Sequence, residues 1–260
     1  MAARRWIAGG CCLLFPALAL SGLHGKLVDL TYPFSEETIY WPTEEGFRLK
    51  VESAGITEKG FYYAANSFCA AEHGGTHIDS PVHFAQGMPT VDQISLDRLI
   101  AAAVVVDVSG KALSNPDYLV SVADLTAWEK KHGKIGAGDI LLLRTGWGRF
   151  YPDREKYLGT ARRGKEAVPE LHFPGLDPEA ARWLVENRRV AAVGLDTPSI
   201  DRGQSTLFES HRILFKAGIP AFENVAHLDQ LPEKGFHILA LPMKIQGGTG
   251  APLRIVAILD

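Results

Sequence analysis

Short, unbroken apolar runs recur along the chain and predict buried β-strands. Such runs occupy 103–108, which is rich in β-branched residues, 140–143 and 190–195, and a polar residue follows each of them. Helix-start signals at Ser121 and Asp177 lie between them and precede apolar residues at helical spacing. Because strands outnumber helices in this alternation, the sequence predicts an α/β chain with more sheet than helix.

A glycine-rich segment, 247–250, precedes the last apolar run at 251–259. A phosphate-binding loop would need a helix directly after its glycines, because the helix N-terminus supplies the anion-binding N–H groups. The run that follows has the composition of a strand. We therefore interpret 247–250 as a turn that connects two strands.

The first residues differ from the rest of the chain. Arg4 and Arg5 precede an apolar run over 6–20, and small residues follow at the spacing that a signal peptidase reads. This layout predicts a signal peptide at 1–21 and a single domain at 22–260, with a secreted or extracytoplasmic location. The alternatives are a disordered tail or a buried first helix.

Composition and charge indicate which classes of binding partner are disfavoured and whether the chain can form a disulfide. A net charge of −3 favours neither nucleic acid nor an anionic membrane as partner, and no run after residue 25 has the length of a membrane-spanning helix. Signal removal would leave Cys69 as the one cysteine, so an internal disulfide is excluded. Because its neighbours are apolar and no base lies beside it in sequence, we interpret Cys69 as a buried structural thiol.

The densest chemistry lies at 73–84, where three histidines and an aspartate fall close together. Glycines and a proline in this segment argue against a helix and favour a glycine turn running into an extended strand. On such a strand His77, Asp79 and His83 would point to one side, with His73 brought round beside them. Two imidazoles and a carboxylate suit Mn²⁺, Zn²⁺ or Fe²⁺. The alternative is a set of unrelated polar loop residues.

The pattern His-x-Gly-Thr-His-x-Asp-x-Pro-x-His, matched at 73–83, resembles the signature of the cyclase-like metal-dependent hydrolases. That family includes kynurenine formamidases and isatin hydrolases, and the resemblance extends over nearly all of the chain after residue 25. The flank at 66–72 is more similar to the isatin hydrolase type. The resemblance implies a layered β/β/α fold in one domain, with mixed β-sheets and few helices, and assembly as a homo-oligomer (dimer or tetramer).

The resemblance also implies site residues. It makes His73, His77 and Asp79 metal ligands, and His211 and Glu223 match a second metal site of the formamidases, in which Asp79 would bridge. Isatin hydrolase-like members imply one ion, so the sequence leaves one or two ions open. The 196–201 loop resembles a second family motif with a pocket-lining role. The predicted substrate-binding residues are Tyr40, Trp41, Phe84, Asp196 and Ser199, with core packing as the alternative for Tyr40 and Trp41.

These residues predict a metal-dependent hydrolase that cleaves an amide C–N bond next to an aromatic ring. Mn²⁺ or Zn²⁺ would activate the water, with His83 as the first candidate for general base and His211 as the second; either is alternatively a ligand. An isatin-type cyclic amide and N-formylkynurenine, an intermediate of tryptophan catabolism, are both candidate substrates. No Gly-x-Ser-x-Gly motif supports a serine hydrolase. The alternatives are a non-haem iron oxygenase and a secreted metal-binding protein without catalysis.

Overall fold

The computed structural model describes residues 25–259, so the predicted signal peptide lies outside the described residues. Twelve strands and five α-helices form in this range. The strands are β1 (Lys26–Asp29), β2 (Arg48–Ile56), β3 (Tyr62–Cys69), β4 (His77–Asp79), β5 (Ile100–Asp107), β6 (Leu119–Val120), β7 (Ile140–Arg144), β8 (Gly175–Leu176), β9 (Ala192–Leu195), β10 (Ala221–Glu223), β11 (Phe236–Pro242) and β12 (Gly250–Leu259). The helices are α1 (Ser109–Ala112), α2 (Val122–His132), α3 (Arg154–Leu158), α4 (Pro178–Asn187) and α5 (Glu209–Lys216).

The main sheet has the strand order β1-β12-β11-β5-β7-β9-β10-β4, and β4 also pairs with β12. This last pairing closes seven of the described strands into a barrel-like ring, and β1 pairs with residues 256–259 of β12. The neighbours β5, β7, β9 and β10 run parallel, whereas β11, β12 and β4 pair antiparallel. Parallel neighbours require crossover connections, and α2, α4 and α5 lie in those connections.

Alternation along the parallel strands divides the interior into two cores. Val104, Val106 and Leu141 belong to a core that includes side chains of the helices. Their neighbours Val105 and Leu142 belong to a second core, which is shared with β11 and β12. Successive strand residues point to opposite faces, so an unbroken apolar run serves both cores. The layers are therefore helix, sheet and sheet, which confirms the predicted β/β/α domain with mixed strands and few helices.

Two predicted helices form at the predicted positions because their ends are capped. Ser121 and Asp124 form a reciprocal capping box at the start of α2, and the Asp177 side chain accepts a hydrogen bond from the Glu179 backbone N–H at the start of α4. The predicted turn at 247–250 also forms: it lies in the connection between β11 and β12, and β12 begins at Gly250. No helix in residues 25–259 combines the length and apolar character needed to cross a membrane.

The β2–β3 hairpin forms its own two-stranded sheet outside the main one. Nearly all of its residues are exposed, including the apolar side chains of Val51, Ile56 and Tyr62. Cys69 ends this hairpin and is exposed. The prediction that Cys69 is a buried structural thiol is therefore wrong, because its apolar neighbours belong to a hairpin and not to a core strand.

Candidate metal centre

The predicted glycine turn and extended strand form where the motif begins. Gly75 has a backbone φ of +55°, a conformation that favours glycine, and β4 follows at once with His77 and Asp79. His83 lies in a 3₁₀ turn, Pro81–His83, and not on that strand. The prediction that His83 shares the strand is wrong, because Pro81 ends β4. The turn nevertheless returns the His83 ring to the site, where it stacks on the His73 ring at 3.9 Å between centroids.

Strand pairing brings the first cluster of possible ligands together. β4 lies between β10 and β12, and its register places Glu223 directly opposite His77. His77 Nε2 lies 3.1 Å from Asp79 Oδ1 and 3.4 Å from Glu223 Oε2. The ligand atoms of these three buried residues all lie within 4.8 Å of one another, a spacing that one cation can bridge.

A second cluster shares Asp79 with the first. His73 Nδ1 lies 2.7 Å from Asp79 Oδ1, and one ligand atom from each of His73, Asp79 and His83 falls within 4.8 Å of the others. Two overlapping triads with a common carboxylate are a geometry that can hold one ion or two. His83 is thus placed where it can act either as a ligand or as a base.

His211 reaches the same centre from α5. Its Nε2 lies 3.1 Å from Glu223 Oε1 and 3.2 Å from Asp79 Oδ2, and its ring is buried. Its Nδ1 lies 2.6 Å from Asp201 Oδ2. Composition alone would leave His211 and Glu223 on the surface, whereas the fold buries both beside Asp79.

In His77 and His211, the ring nitrogen that points away from the centre makes the contact that determines where the proton lies. His77 Nδ1 lies 2.9 Å from the Gly75 carbonyl, which only accepts hydrogen bonds, so Nδ1 carries the proton. His211 Nδ1 donates to Asp201 by the same reasoning. In the neutral form of both rings Nε2 then faces carboxylate oxygens with a lone pair, and His77 Nε2 is a buried atom without a hydrogen-bond partner. Lone pairs and carboxylates around one point repel unless a cation lies between them, so these residues fit a divalent metal.

The pKa directions agree with this interpretation. Burial, together with the neighbouring Asp79 carboxylate, raises the pKa of Glu223. Burial lowers the pKa of His83 to about 4, and the nearby histidines act in the same direction. Burial lowers the pKa values of His77 and His211, but the neighbouring carboxylates outweigh it and raise both. Without a cation the cluster would thus hold protons on these histidines and on Glu223, while the His83 imidazole stays neutral at pH 7 and can accept a proton.

The cluster opens into a cavity of 470 Å³. Its walls carry aromatic rings and four carboxylates, and Ser199 also lines it. Asp196 does not line this cavity: its buried carboxylate accepts hydrogen bonds from Thr145 and Gly146. Asp196 thus lies outside the cavity that it was predicted to line, and its contacts favour a structural role. The aromatic and acidic side chains of the walls are Tyr40, Trp41, Phe84 and Phe208, with Glu44, Glu72, Asp79 and Glu223.

Comparison with known proteins agrees with this geometry. The family model described as putative cyclase matches residues 28–202. The chain is 32% identical to an isatin hydrolase from Roseibium aggregatum, covering 93% of this chain and 97% of that protein. The chain belongs to the cyclase family. It is also 28% identical to a kynurenine formamidase from Salinibacter ruber, covering 88% of this chain and 96% of the relative.

The cyclase-family fold is shared with solved structures as well. Isatin hydrolase A from Ralstonia solanacearum superposes with a TM-score of 0.81 at 34% identity, covering 90% of this chain and 92% of the other. The segment matched by the cyclase model contains the whole 73–83 motif, whereas His211 and Glu223 lie beyond it. Those two residues join the centre through α5 and β10.

Three residues that contact the histidines were not among the predicted site residues of this cyclase-family chain. Asp201 binds His211, while Thr249 and Glu72 form a hydrogen-bonded pair beside His73. The sequence held one usable signal for Asp201, because it ends the polar 196–201 loop. Thr249 lies 176 positions from His73, so no local pattern connects the two.

Proposed function

We propose that the protein is a metal-dependent hydrolase that opens an aromatic cyclic amide of the isatin type. The observation that carries the proposal is an aromatic-walled cavity that is also lined by the two triads sharing Asp79, one with His73 and one with His77. The similarity to isatin hydrolases over most of the chain supports the same chemistry.

The proposed metal ligands are His73, His77 and Asp79, with Glu223 and His211 placed to hold a second ion. A divalent ion such as Mn²⁺ or Zn²⁺ would supply acidity to a bound water and polarise the substrate carbonyl. Asp79 is central because it belongs to both triads and is the carboxylate that the two share.

We assign the general-base role to His83. Its imidazole is neutral at pH 7, stacks on His73 and lines the cavity, so it can accept a proton from the attacking water. A C–O bond then forms at the amide carbon, the C–N bond breaks, and the proton held by His83 goes to the departing nitrogen. His211 is the second candidate, but its Nδ1 is bound to Asp201 and its Nε2 faces two carboxylates, which favours ligation.

The cavity walls favour a neutral aromatic substrate. Trp41, Phe84 and Phe208 supply ring surfaces, and the Trp41 ring lies 6.3 Å from the Phe208 ring between centroids. Among the described lining residues there is no lysine or arginine, while Glu44 and Glu72 add negative charge. The carboxylate of N-formylkynurenine would find no lysine or arginine side chain here, whereas isatin carries no charge. Formamide hydrolysis remains the second candidate, because the two triads that share Asp79 could hold two ions.

Turnover of isatin and of N-formylkynurenine, measured side by side on protein reconstituted with Mn²⁺ or Zn²⁺, tests this proposal. We expect isatin opening to have the higher kcat/KM. Cleavage of N-formylkynurenine alone would assign the formamidase activity instead. Oxygen consumption with an added co-substrate would support the non-haem iron alternative, and metal binding without turnover would support the non-catalytic one.

We further propose that the protein acts as a homo-oligomer after export from the cytoplasm. The exposed apolar side chains of the β2–β3 hairpin support assembly, because a contiguous apolar surface is often covered by a partner. The signal-like residues 1–21 support export. Neither nucleic acid nor a membrane is proposed as a partner of the mature chain.

A further inference from the structure

The glycine-rich turn 247–250 contacts the metal centre, although its sequence predicts only a connection between two strands. Thr249 lies in this turn, and its Oγ1 is 2.9 Å from His73 Nε2, the ring nitrogen that faces away from Asp79. The opposite nitrogen, Nδ1, lies 2.7 Å from Asp79 Oδ1. Whether the Thr249 hydroxyl donates to His73 or accepts from it therefore determines which His73 nitrogen can bind a metal.

Glu72 determines the direction of the Thr249 hydrogen bond. Its Oε2 accepts from the Thr249 hydroxyl at 2.7 Å and from the Thr249 backbone N–H at 2.9 Å. A hydroxyl has one hydrogen to donate, and here Glu72 receives it. Thr249 Oγ1 is then left as an acceptor for His73, so His73 Nε2 must carry the proton. With Nε2 protonated, Nδ1 is the His73 nitrogen left to bind a metal, and it already lies at the metal centre beside Asp79.

The turn fits closely around these partners. A Cβ on Gly250 would lie 2.5 Å from His73 Cε1, and a Cβ on Gly248 would lie 2.9 Å from Glu72 Oε1. The Thr249 carbonyl also accepts the Ser80 backbone N–H at 2.9 Å, which ties the turn to the residue after Asp79. Glycine at these positions lets the turn approach the His73 ring and the Glu72 carboxylate at the same time.

We propose that Thr249 and Glu72 are positioning residues, which hold His73 in the tautomer that binds a divalent metal through Nδ1. The inference rests on the proposed metal site and specifies how one of its ligands is prepared. Removal of a group that orients a metal-binding histidine usually weakens metal affinity about 10- to 100-fold. The same loss is expected here when the Thr249 hydroxyl or the Glu72 carboxylate is removed.

The test compares Co²⁺ and Mn²⁺ affinity, measured by calorimetry, in Thr249→Val, Thr249→Ser and the wild type. We expect Val to weaken the Kd about 10- to 100-fold and Ser to restore it, because Ser keeps the hydroxyl. Thr206→Val is the matched control, since Thr206 is exposed and lies outside the metal centre. Glu72→Ala provides a second variant with the expected loss of affinity if Thr249→Val does not fold.

Nitrogen NMR of the imidazoles supplies a readout that needs no metal. In the metal-free wild type we expect a proton on His73 Nε2 that is held in the hydrogen bond to Thr249 and exchanges slowly, and in Thr249→Val we expect that protection to be lost. A wild-type His73 protonated on Nδ1 alone, or a Thr249→Val variant with unchanged Kd, would overturn the positioning role. A wild type that binds neither metal would instead overturn the proposed metal site, and the inference with it.

Discussion

Replacement of Asp196 by alanine separates a structural role from a substrate-binding one. The Asp196 carboxylate accepts the Thr145 and Gly146 backbone N–H groups at 2.8 and 2.9 Å and the Thr145 hydroxyl at 2.6 Å. Thr145 is fully buried, so water cannot replace these bonds without rearrangement. Each buried donor left without a partner costs about 1–3 kcal/mol, which gives about 2–6 kcal/mol for the two N–H groups.

One effect acts in the opposite direction. Burial raises the pKa of Asp196, which shows that the fold disfavours its charged form, and alanine removes that cost. We therefore expect a net loss of about 3 kcal/mol in the free energy of unfolding, within the range for broken buried networks. For a chain of this size the loss corresponds to a fall in Tm of about 6–12 °C.

Calorimetry and urea unfolding of the metal-loaded protein measure the loss of stability, and isatin turnover well below Tm measures function. Asp97→Ala is the control, because Asp97 is an exposed aspartate outside the cavity. We expect Asp196→Ala to lower Tm while KM of the folded enzyme stays unchanged. An unchanged Tm with a raised KM would refute the reasoning and return Asp196 to the substrate pocket.

Three further predictions concern the base, the pocket wall and the helix layer. His83→Ala should lower kcat about 10²- to 10⁴-fold with metal content unchanged; loss of the metal as well would identify His83 as a ligand. Trp41→Ala should raise KM for isatin about tenfold and leave kcat nearly constant in steady-state kinetics. A lowered kcat with unchanged KM would contradict this role for the Trp41 ring. Arg188→Ala should cost about 1–2 kcal/mol in urea unfolding, because Glu129, bound through both carboxylate oxygens, would lose its half-buried partner. Arg188 lowers the pKa of Glu129, so the stability from this pair is present above the ordinary Glu pKa and is lost as pH falls through the lowered value. A Glu129→Gln variant whose stability falls with decreasing pH as in the wild type would contradict this.

Local sequence patterns predicted the parts of the molecule that local physics determines. The apolar runs became the parallel strands, and the capping residues at Ser121 and Asp177 began helices where predicted. The glycine turn and the extended His77 and Asp79 also form as expected, because neighbouring residues are enough to specify them.

Contacts between residues distant in sequence account for most of the differences between the predicted and the observed structure. Closure of the sheet depends on β4 pairing with β12, two segments that lie far apart in the sequence. Asp196 is held by backbone donors about 50 positions away, so its sequence neighbours could not show that the carboxylate was already occupied. His83 left the strand because Pro81 begins a 3₁₀ turn, a break that the alternating pattern alone did not show.

The most direct test of the central claim is isatin turnover during titration of chelator-stripped protein with Mn²⁺, in the wild type and in Asp79→Asn. Because Asp79 is the carboxylate common to both triads, we expect stripped wild type to be inactive and to recover as metal binds. Asp79→Asn should neither retain the metal nor turn over isatin. Full turnover by the stripped protein, or wild-type activity in Asp79→Asn, would contradict a metal-dependent hydrolase built on this site.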